Sequence, residues 1–257
     1  MGTIKFFDSH AHYEDARFDP DRDEVLSQMH AEGVEYILNA GSDQKTSQES
    51  VSLAQRYNFI YTAVGIHPHE VKDTQGIDWI RDLCRSPKVV AIGEIGLDYY
   101  YDHSPRDIQK TWFKKQIALA NELHLPVIIH DRDAHGDCLH IVKHEVTPAR
   151  GGVFHCFSGS VDMARELLEM GFHISFGGSV TFENARRLQE VVRYVPLENM
   201  LIETDAPYLT PHPFRGKRND SRYLGYIVER IAGIKGVTVE ETAGITLENA
   251  KRLFKIS

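Results

Sequence analysis

Cysteine is scarce in this chain of 257 residues: Cys84, Cys138 and Cys156 are the only three, and no CxxC spacing occurs among them. Neither a disulfide framework nor a cysteine-based zinc ribbon can be built from them, so they read as reduced thiols. Long hydrophobic runs are missing as well. No stretch approaches the roughly 20 apolar residues of a membrane helix, and the opening Met-Gly-Thr-Ile-Lys-Phe-Phe-Asp has no basic segment leading into an apolar one. The expectation is a cytoplasmic protein with no membrane partner. Cations are outnumbered, 29 Lys and Arg against 37 Asp and Glu, for a formal charge of -8. That excludes a generally adhesive nucleic-acid coat, which relies on clustered cations; any nucleic acid must be gripped locally. Nor does a Pro/Gly/Ser-rich linker, a low-complexity tract or a shift in composition mark a domain boundary.

What the chain has is alternation. Short β-rich apolar runs recur at Ile4 to Phe7, Val34 to Leu38, Phe59 to Val64, Val89 to Ile92, Val127 to Ile129, Gly152 to Phe154, His173 to Phe176 and Asn199 to Ile202, which makes eight candidate strands. Between them, apolar residues three and four apart predict helices over Asp21 to Ala31, Asp43 to Arg56, Arg106 to Leu123, Asp162 to Met170 and Asn184 to Tyr194. Two more, Leu224 to Ile234 and Val239 to Phe254, follow the eighth strand and close the outer ring. Such alternation implies parallel strands joined by crossover helices. A doubly wound open sheet is the competitor, but it usually carries a glycine-rich phosphate loop after its first strand. Here Phe7 is followed by Asp8-Ser9-His10-Ala11-His12. The expected fold is α/β, a single (β/α)8 TIM-like barrel spanning residues 1–257.

In such a barrel the C-terminal strand ends open onto one face. There the sequence repeatedly places metal-binding residue types: His10 and His12 after strand one, Glu94 after four, His130 after five, His155 after six, and Glu203 and Asp205 after eight. His10 and His12, two apart on an extended strand, point to the same side and form a natural chelating pair. A lone histidine at a strand end is more often a hydrogen-bonded structural residue, and it is the recurrence that argues for a shared site. Four imidazoles with two or three carboxylates exceed what one catalytic zinc takes, about three protein ligands plus water. Two cations fit better, with a carboxylate such as Glu94 bridging them about 3.5–4 Å apart and a water activated between them. His30, His124, His140 and His144 fall inside helical segments and read as surface or packing residues.

Several segments together carry a resemblance that runs from Phe7 to Lys255. They are Asp8-Ser9-His10-Ala11-His12, Val64-Gly65-Ile66-His67-Pro68-His69, Ala91 to Tyr99, Pro126 to Arg132, His155-Cys156-Phe157-Ser158-Gly159, and Glu203-Thr204-Asp205-Ala206-Pro207-Tyr208-Leu209. The chain resembles the TatD family of metal-dependent deoxyribonucleases, within the amidohydrolase superfamily. The resemblance implies a TIM-like barrel and two divalent cations held by His10, His12, Glu94, His130, His155 and Asp205, the residues already singled out at strand ends. It further implies that Glu94 bridges, with His10, His12 and Asp205 around one cation and His130 and His155 around the other. The cation stays open among Mg, Mn, Zn and Ni, since imidazole and carboxylate favour different members of that set.

Around this centre, the basic loop Pro211 to Asn219 is expected to overhang the metal face, with Arg215 and Arg218 holding an anionic substrate through guanidinium–phosphate pairs. Arg132 is expected to act similarly, His67 to touch substrate, and Tyr208 to stack on a base or sugar. Asp205 is assigned to position or deprotonate the attacking water, with Glu203 sharing acid/base duty. The resemblance commonly has an acidic residue and proline after Asn219, whereas here Asp220 is followed by Ser221, so the loop is expected to be less rigid. The expected reaction is hydrolysis of DNA phosphodiester bonds by a monomer. Single-stranded ends are its expected site, because a duplex interior does not reach into a barrel mouth undistorted. Two alternatives stand beside it: an amide, lactone or phosphotriester hydrolase on the same barrel, and a non-catalytic nucleic-acid-binding or scaffold barrel. Members of the first group that bridge with a carboxylated lysine need Lys where Glu94 stands. The second would carry a degenerate site, and every ligand position here is filled.

Overall fold

The computed structural model describes residues 4–147 and 151–257. Among these, eight strands pair in chain order: β1 (Phe6–Ala11), β2 (Val34–Ala40), β3 (Ile60–Val64), β4 (Val89–Asp98), β5 (Val127–Arg132), β6 (Gly152–Phe154), β7 (His173–Phe176) and β8 (Met200–Ile202). Every neighbouring pair is parallel. The ring closes between first and last, where Ala11 bridges Ala206 just past β8. At that seam the Asp205 N–H donates to the His10 carbonyl at 2.9 Å and the His12 N–H to the Ala206 carbonyl at 2.7 Å. The chain is a (β/α)8 TIM barrel.

Helices follow the strands on the outside: α1 (Arg22–Ala31), α2 (Gln44–Arg56), α3 (Asp78–Leu83), α4 (Arg106–Leu123), α5 (His135–Glu145), α6 (Val161–Glu169), α7 (Arg186–Tyr194), α8 (Leu224–Lys235) and α9 (Val239–Phe254). Their starts have local causes. Asp43 accepts the Thr46 N–H at 2.7 Å while Thr46 Oγ1 accepts the Asp43 N–H at 2.9 Å, a reciprocal box that fixes the first turn of α2. Ends expected from periodicity lie within about two residues of those observed. α3 was not expected at all, because six residues are too few for a periodic pattern to register. No described helix is long and apolar enough to cross a membrane.

Period-two alternation decides what lies on the barrel axis. Phe7, Leu38, Ala63, Ala91, Ile128, Val153 and Leu201, from every strand but β7, form one buried cluster with Phe254 and Ile256 at the end of α9. One step further along the same faces of β5, β6 and β8 come His130, His155 and Glu203. The inward face is thus apolar at the bottom of the barrel and polar at its mouth. β4 runs six residues beyond the expected Ile92, because glycines allow it to continue. A Cβ on Gly93 would sit 2.6 Å from Ile128, and one on Gly96, at φ +146°, would sit 1.9 Å from the His130 carbonyl oxygen. Glu94 therefore lies within a long strand rather than past a short one.

The seam is also pinned by a buried carboxylate. Asp8 Oδ1 accepts the N–H groups of Thr204 at 2.9 Å and His10 at 3.3 Å, and Oδ2 accepts the hydroxyls of Thr204 at 2.5 Å and Ser221 at 2.6 Å. Burial pushes this carboxyl up to about 7, against the pull of those four donors. The loss of a proline after Asp220 was expected to loosen the basic loop. Ser221 instead ties its end into the seam through the hydroxyl that proline lacks, and Asn219, Asp220 and Ser221 are all buried. Asp8→Ala strands three or four buried donors at once and is expected to cost roughly 3 kcal/mol or more in urea denaturation. A loss below about 1 kcal/mol would show that the seam does not depend on it.

Candidate metal centre

Glu94 lies at the middle of the mouth, and its two oxygens face different neighbours. Oε2 is 3.3 Å from His10 Nε2 and 3.6 Å from His12 Nε2. Oε1 is 2.7 Å from His130 Nδ1, 2.8 Å from His155 Nε2 and 3.5 Å from His67 Nε2. Asp205 joins the first group, its Oδ1 lying 3.5 Å from His12 Nε2 and 3.8 Å from His10 Nε2. β1 brings His10 and, one residue past its end, His12; β4 brings Glu94; β5 brings His130; His155 and Asp205 follow β6 and β8. Asp205 has a left-handed backbone at φ 57°, a conformation aspartate tolerates better than most residues, so the chain can turn off the barrel where its carboxylate is needed.

Electrostatics keep the carboxylates charged. Burial alone would raise the Glu94 carboxyl, but the imidazoles of His155, His67 and His10 outweigh it and hold the group well below its ordinary value. Asp205 is lowered in the same way, against burial, by its bond to His12 and by His155 and His10. Hydrogen bonds set the tautomers. His12 Nδ1 donates to the Ala40 carbonyl at 2.8 Å, which in the neutral ring leaves Nε2 as a lone pair facing the centre. His67 Nδ1 accepts the His69 N–H at 3.2 Å, so its proton sits on Nε2; burial brings its pKa down to about 4, and it enters the site as a neutral donor.

Burial lowers His12, His130 and His155, but the carboxylates beside them outweigh it and raise all three, so a bound cation would take the place of protons these rings hold. His10 Nε2 and His12 Nε2 stand 3.1 Å apart, and His155 Nε2 and His130 Nδ1 stand 3.4 Å apart. His10 Nδ1, His155 Nδ1 and Glu203 Oε2 are buried atoms for which the described residues supply no hydrogen-bond partner. Three groups of described residues bring candidate ligand atoms within 4.8 Å of one another: His10, His12 and Asp205; His10, His155 and Glu203; and Glu94 and His130 with His67, whose own Nε2 carries a proton here. A mixed imidazole and carboxylate donor set of this kind suits divalent transition ions and Mg.

Compared with known proteins, residues 7–255 match the family described as TatD related DNase. The chain belongs to that family. The metal-dependent hydrolase YabD of Bacillus subtilis (strain 168) is 51% identical over 253 residues, covering 98% of this chain and 99% of that protein. The 3'-5' ssDNA/RNA exonuclease TatD of Citrobacter koseri is 36% identical over 258 residues, covering 98% and 99%. The crystal structure of the TatD homologue YJJV from Escherichia coli K12 matches with a TM-score of 0.93 at 30% identity over the whole of both chains. This TatD-family chain is accordingly a metal-dependent hydrolase acting on ester bonds.

Within the TatD-family site, the residues expected from sequence divide. His10, His12, Glu94, His130, His155 and Asp205 gather as described, with His67 beside them. Arg132 stands at the rim, its guanidinium 4.3 Å from the Tyr100 ring, and Tyr208 lies opposite under Arg17 at 4.1 Å. Glu203 is fully buried behind His155, 3.6 Å from its Nδ1, and accepts the Cys156 N–H. From there it does not line the open cavity. Arg218 is taken up by a bidentate pair with Asp21 at 2.7 and 2.8 Å, and Arg215 stacks on Phe182 at 4.2 Å beside a separate small hollow. Neither lines the main cavity, because the loop is folded back onto α1 and the segment after β7.

Asp98 went unnoticed in the sequence. Its Oδ2 accepts from His130 Nε2 at 3.1 Å and from His69 Nε2 at 2.9 Å, which leaves His130 Nδ1 for the centre. The signal is the even spacing of Glu94, Gly96 and Asp98, which share one face of β4, and a strand that stops at Ile92 does not show it. Asp98→Ala is expected to weaken divalent-cation affinity by about 10–100-fold in chelator competition, with the fold intact by circular dichroism. Unchanged affinity would mean that Asp98 does not hold His130 in place.

Proposed function

We propose that this chain is a deoxyribonuclease that removes nucleotides from single-stranded ends, with two divalent cations held on either side of Glu94. The observation that carries the reading is the division of Glu94: Oε2 faces His10 and His12, Oε1 faces His130 and His155. The named activity of the TatD relative supports a 3'-5' polarity and an RNA capacity as well. His10, His12 and Asp205 would hold one cation, and His130 and His155 the other. When bound, the cations supply the charge that makes water a nucleophile near neutral pH and offsets charge on the phosphoryl oxygens.

The chain's own residues then do the following. Asp205, ionised and lining the cavity, accepts a proton from the attacking water at its carboxylate. His67 presents its Nε2 proton towards the same space and can donate to a phosphate oxygen. Arg132 at the rim supplies a guanidinium for the substrate's anionic backbone. Tyr208, backed by Arg17, offers a ring edge for a sugar or base. A cavity of about 710 Å³ at the mouth of a barrel admits a flexible strand end more readily than a duplex interior.

The test uses metal-stripped protein and single-stranded DNA labelled at the 5' end, with Mg, Mn or Zn restored separately. Stepwise shortening from the 3' end should depend on added metal and fall more than about 100-fold in Glu94→Gln, beyond what removing a supporting residue costs. Two bound metals without any strand cleavage would sink the phosphodiester assignment and direct the search to amides, lactones and phosphotriesters.

A further inference from the structure

The mouth of the barrel is forked. Beside the main cavity, a second one of about 510 Å³ opens from the same centre, and His130, Arg132, His155, Asp205 and Leu209 line both. The divide between them is built from Arg132, whose guanidinium lies 4.3 Å from the Tyr100 ring and 4.8 Å from the Tyr101 ring. Tyr101 faces the main arm and Tyr100 the side arm. Both rings stand unusually free, Tyr100 at 59% exposure and Tyr101 at 49%. Of the six large apolar side chains exposed among the described residues, four, Tyr100, Tyr101, Tyr208 and Leu209, border this fork. Exposed aromatic surface concentrated in one place marks a binding site rather than chance.

The two arms differ in chemistry. Charged and imidazole groups dominate the main arm, among them Glu14, Asp15, Arg17, His69 and Glu70. The side arm carries an apolar patch of Cys156, Phe157, Ala185, Leu188 and Leu209, with short polar groups such as Ser158 and Asn184 and, at its edge, the carboxylates of Asp133 and of Asp131, the latter paired with His135 at 2.9 Å. Cations flank its apolar surface: Arg132 at the divide and Arg187 at the start of α7. An apolar slot edged by guanidinium groups and an open aromatic ring matches a nucleobase carrying a phosphate, since every base has a face to stack and stacking tolerates any sequence.

We propose that the side arm is the binding site for the terminal nucleotide, its base stacked against Tyr100 over Phe157 and Leu188, while the main arm carries the rest of the strand. This rests on the nuclease reading above. The scissile phosphate then lies at the fork, beside Glu94 and Asp205, and the released product is a nucleoside monophosphate held in the side arm. Asp98 ties the divide to the centre: its Oδ1 accepts the N–H groups of Tyr100 at 3.0 Å and Tyr101 at 2.9 Å, while Oδ2 holds His130.

The experiment measures product binding to the metal-loaded protein by calorimetry, comparing thymidine 5'-monophosphate with 2-deoxyribose 5-phosphate, which lacks the base. Wild type should prefer the nucleotide by about tenfold or more, the worth of one stacked base. Tyr100→Ala, which removes an exposed ring, and Ala185→Phe, which fills the slot, should each bring the preference to within about twofold. Equal affinities in wild type, or a preference that survives both variants, would overturn the proposal. If neither ligand binds wild type the proposal also falls, and cleavage of a labelled strand by the same preparation separates the causes. Continued cleavage removes only the side-arm site, whereas its absence removes the nuclease reading beneath it.

Discussion

Closure of the ring between β1 and β8 is the constraint on which the mouth depends. Seven strand pairs form along the chain, but the eighth contact must join residues almost two hundred positions apart, and β8 has only three residues with which to do so. The Asp8 carboxylate compensates by collecting donors from both sides of the seam. His10, His12 and Asp205 are themselves seam residues, bonded through their backbones across the gap or to its neighbours. The three residues assigned to one cation are therefore held together by the bonds that complete the barrel. Slippage of the seam by one residue would turn every side chain there to the opposite face.

Much of the fold was legible because a barrel repeats one simple rule eight times. Hydrophobic runs such as Val127 to Ile129 and Gly152 to Phe154 mark strands, and the residue that follows each run marks the mouth, which is why His130 and His155 are legible in the sequence. What escaped depended on three-dimensional partners. Glycine usually ends a strand, so Gly93 concealed the continuation of β4 and with it Asp98; only the close approach of β5 shows why glycine is needed there. Arg218 and Arg215 belong to a basic loop in the right part of the chain, but Asp21 and Phe182, distant in sequence, claim their side chains. Charge in a loop predicts an anion site only when nothing nearer neutralises it.

The centre also illustrates how burial and charge divide the work. Removing imidazoles from water favours their neutral form, as at His67, while a ring of imidazoles favours the ionised form of the carboxylates they surround. Hydrogen bonds outside the ring, from His12 to Ala40 and from His130 to Asp98, then determine which nitrogen faces inward. The identity of the proposed ligands comes from the strand ends. Ligand orientation comes from neighbours that no strand-end pattern announces.

The apolar packing around Phe254 and Ile256 has a consequence for traffic. With the barrel axis filled from below by the end of α9, the described residues form a well that opens at the mouth, and whatever enters there must leave by it. A polymer cannot be threaded through such a protein. For the nuclease proposed here, the spent fragment would leave by the opening through which fresh chain arrives, and a branched entrance is one way for both to be present at once.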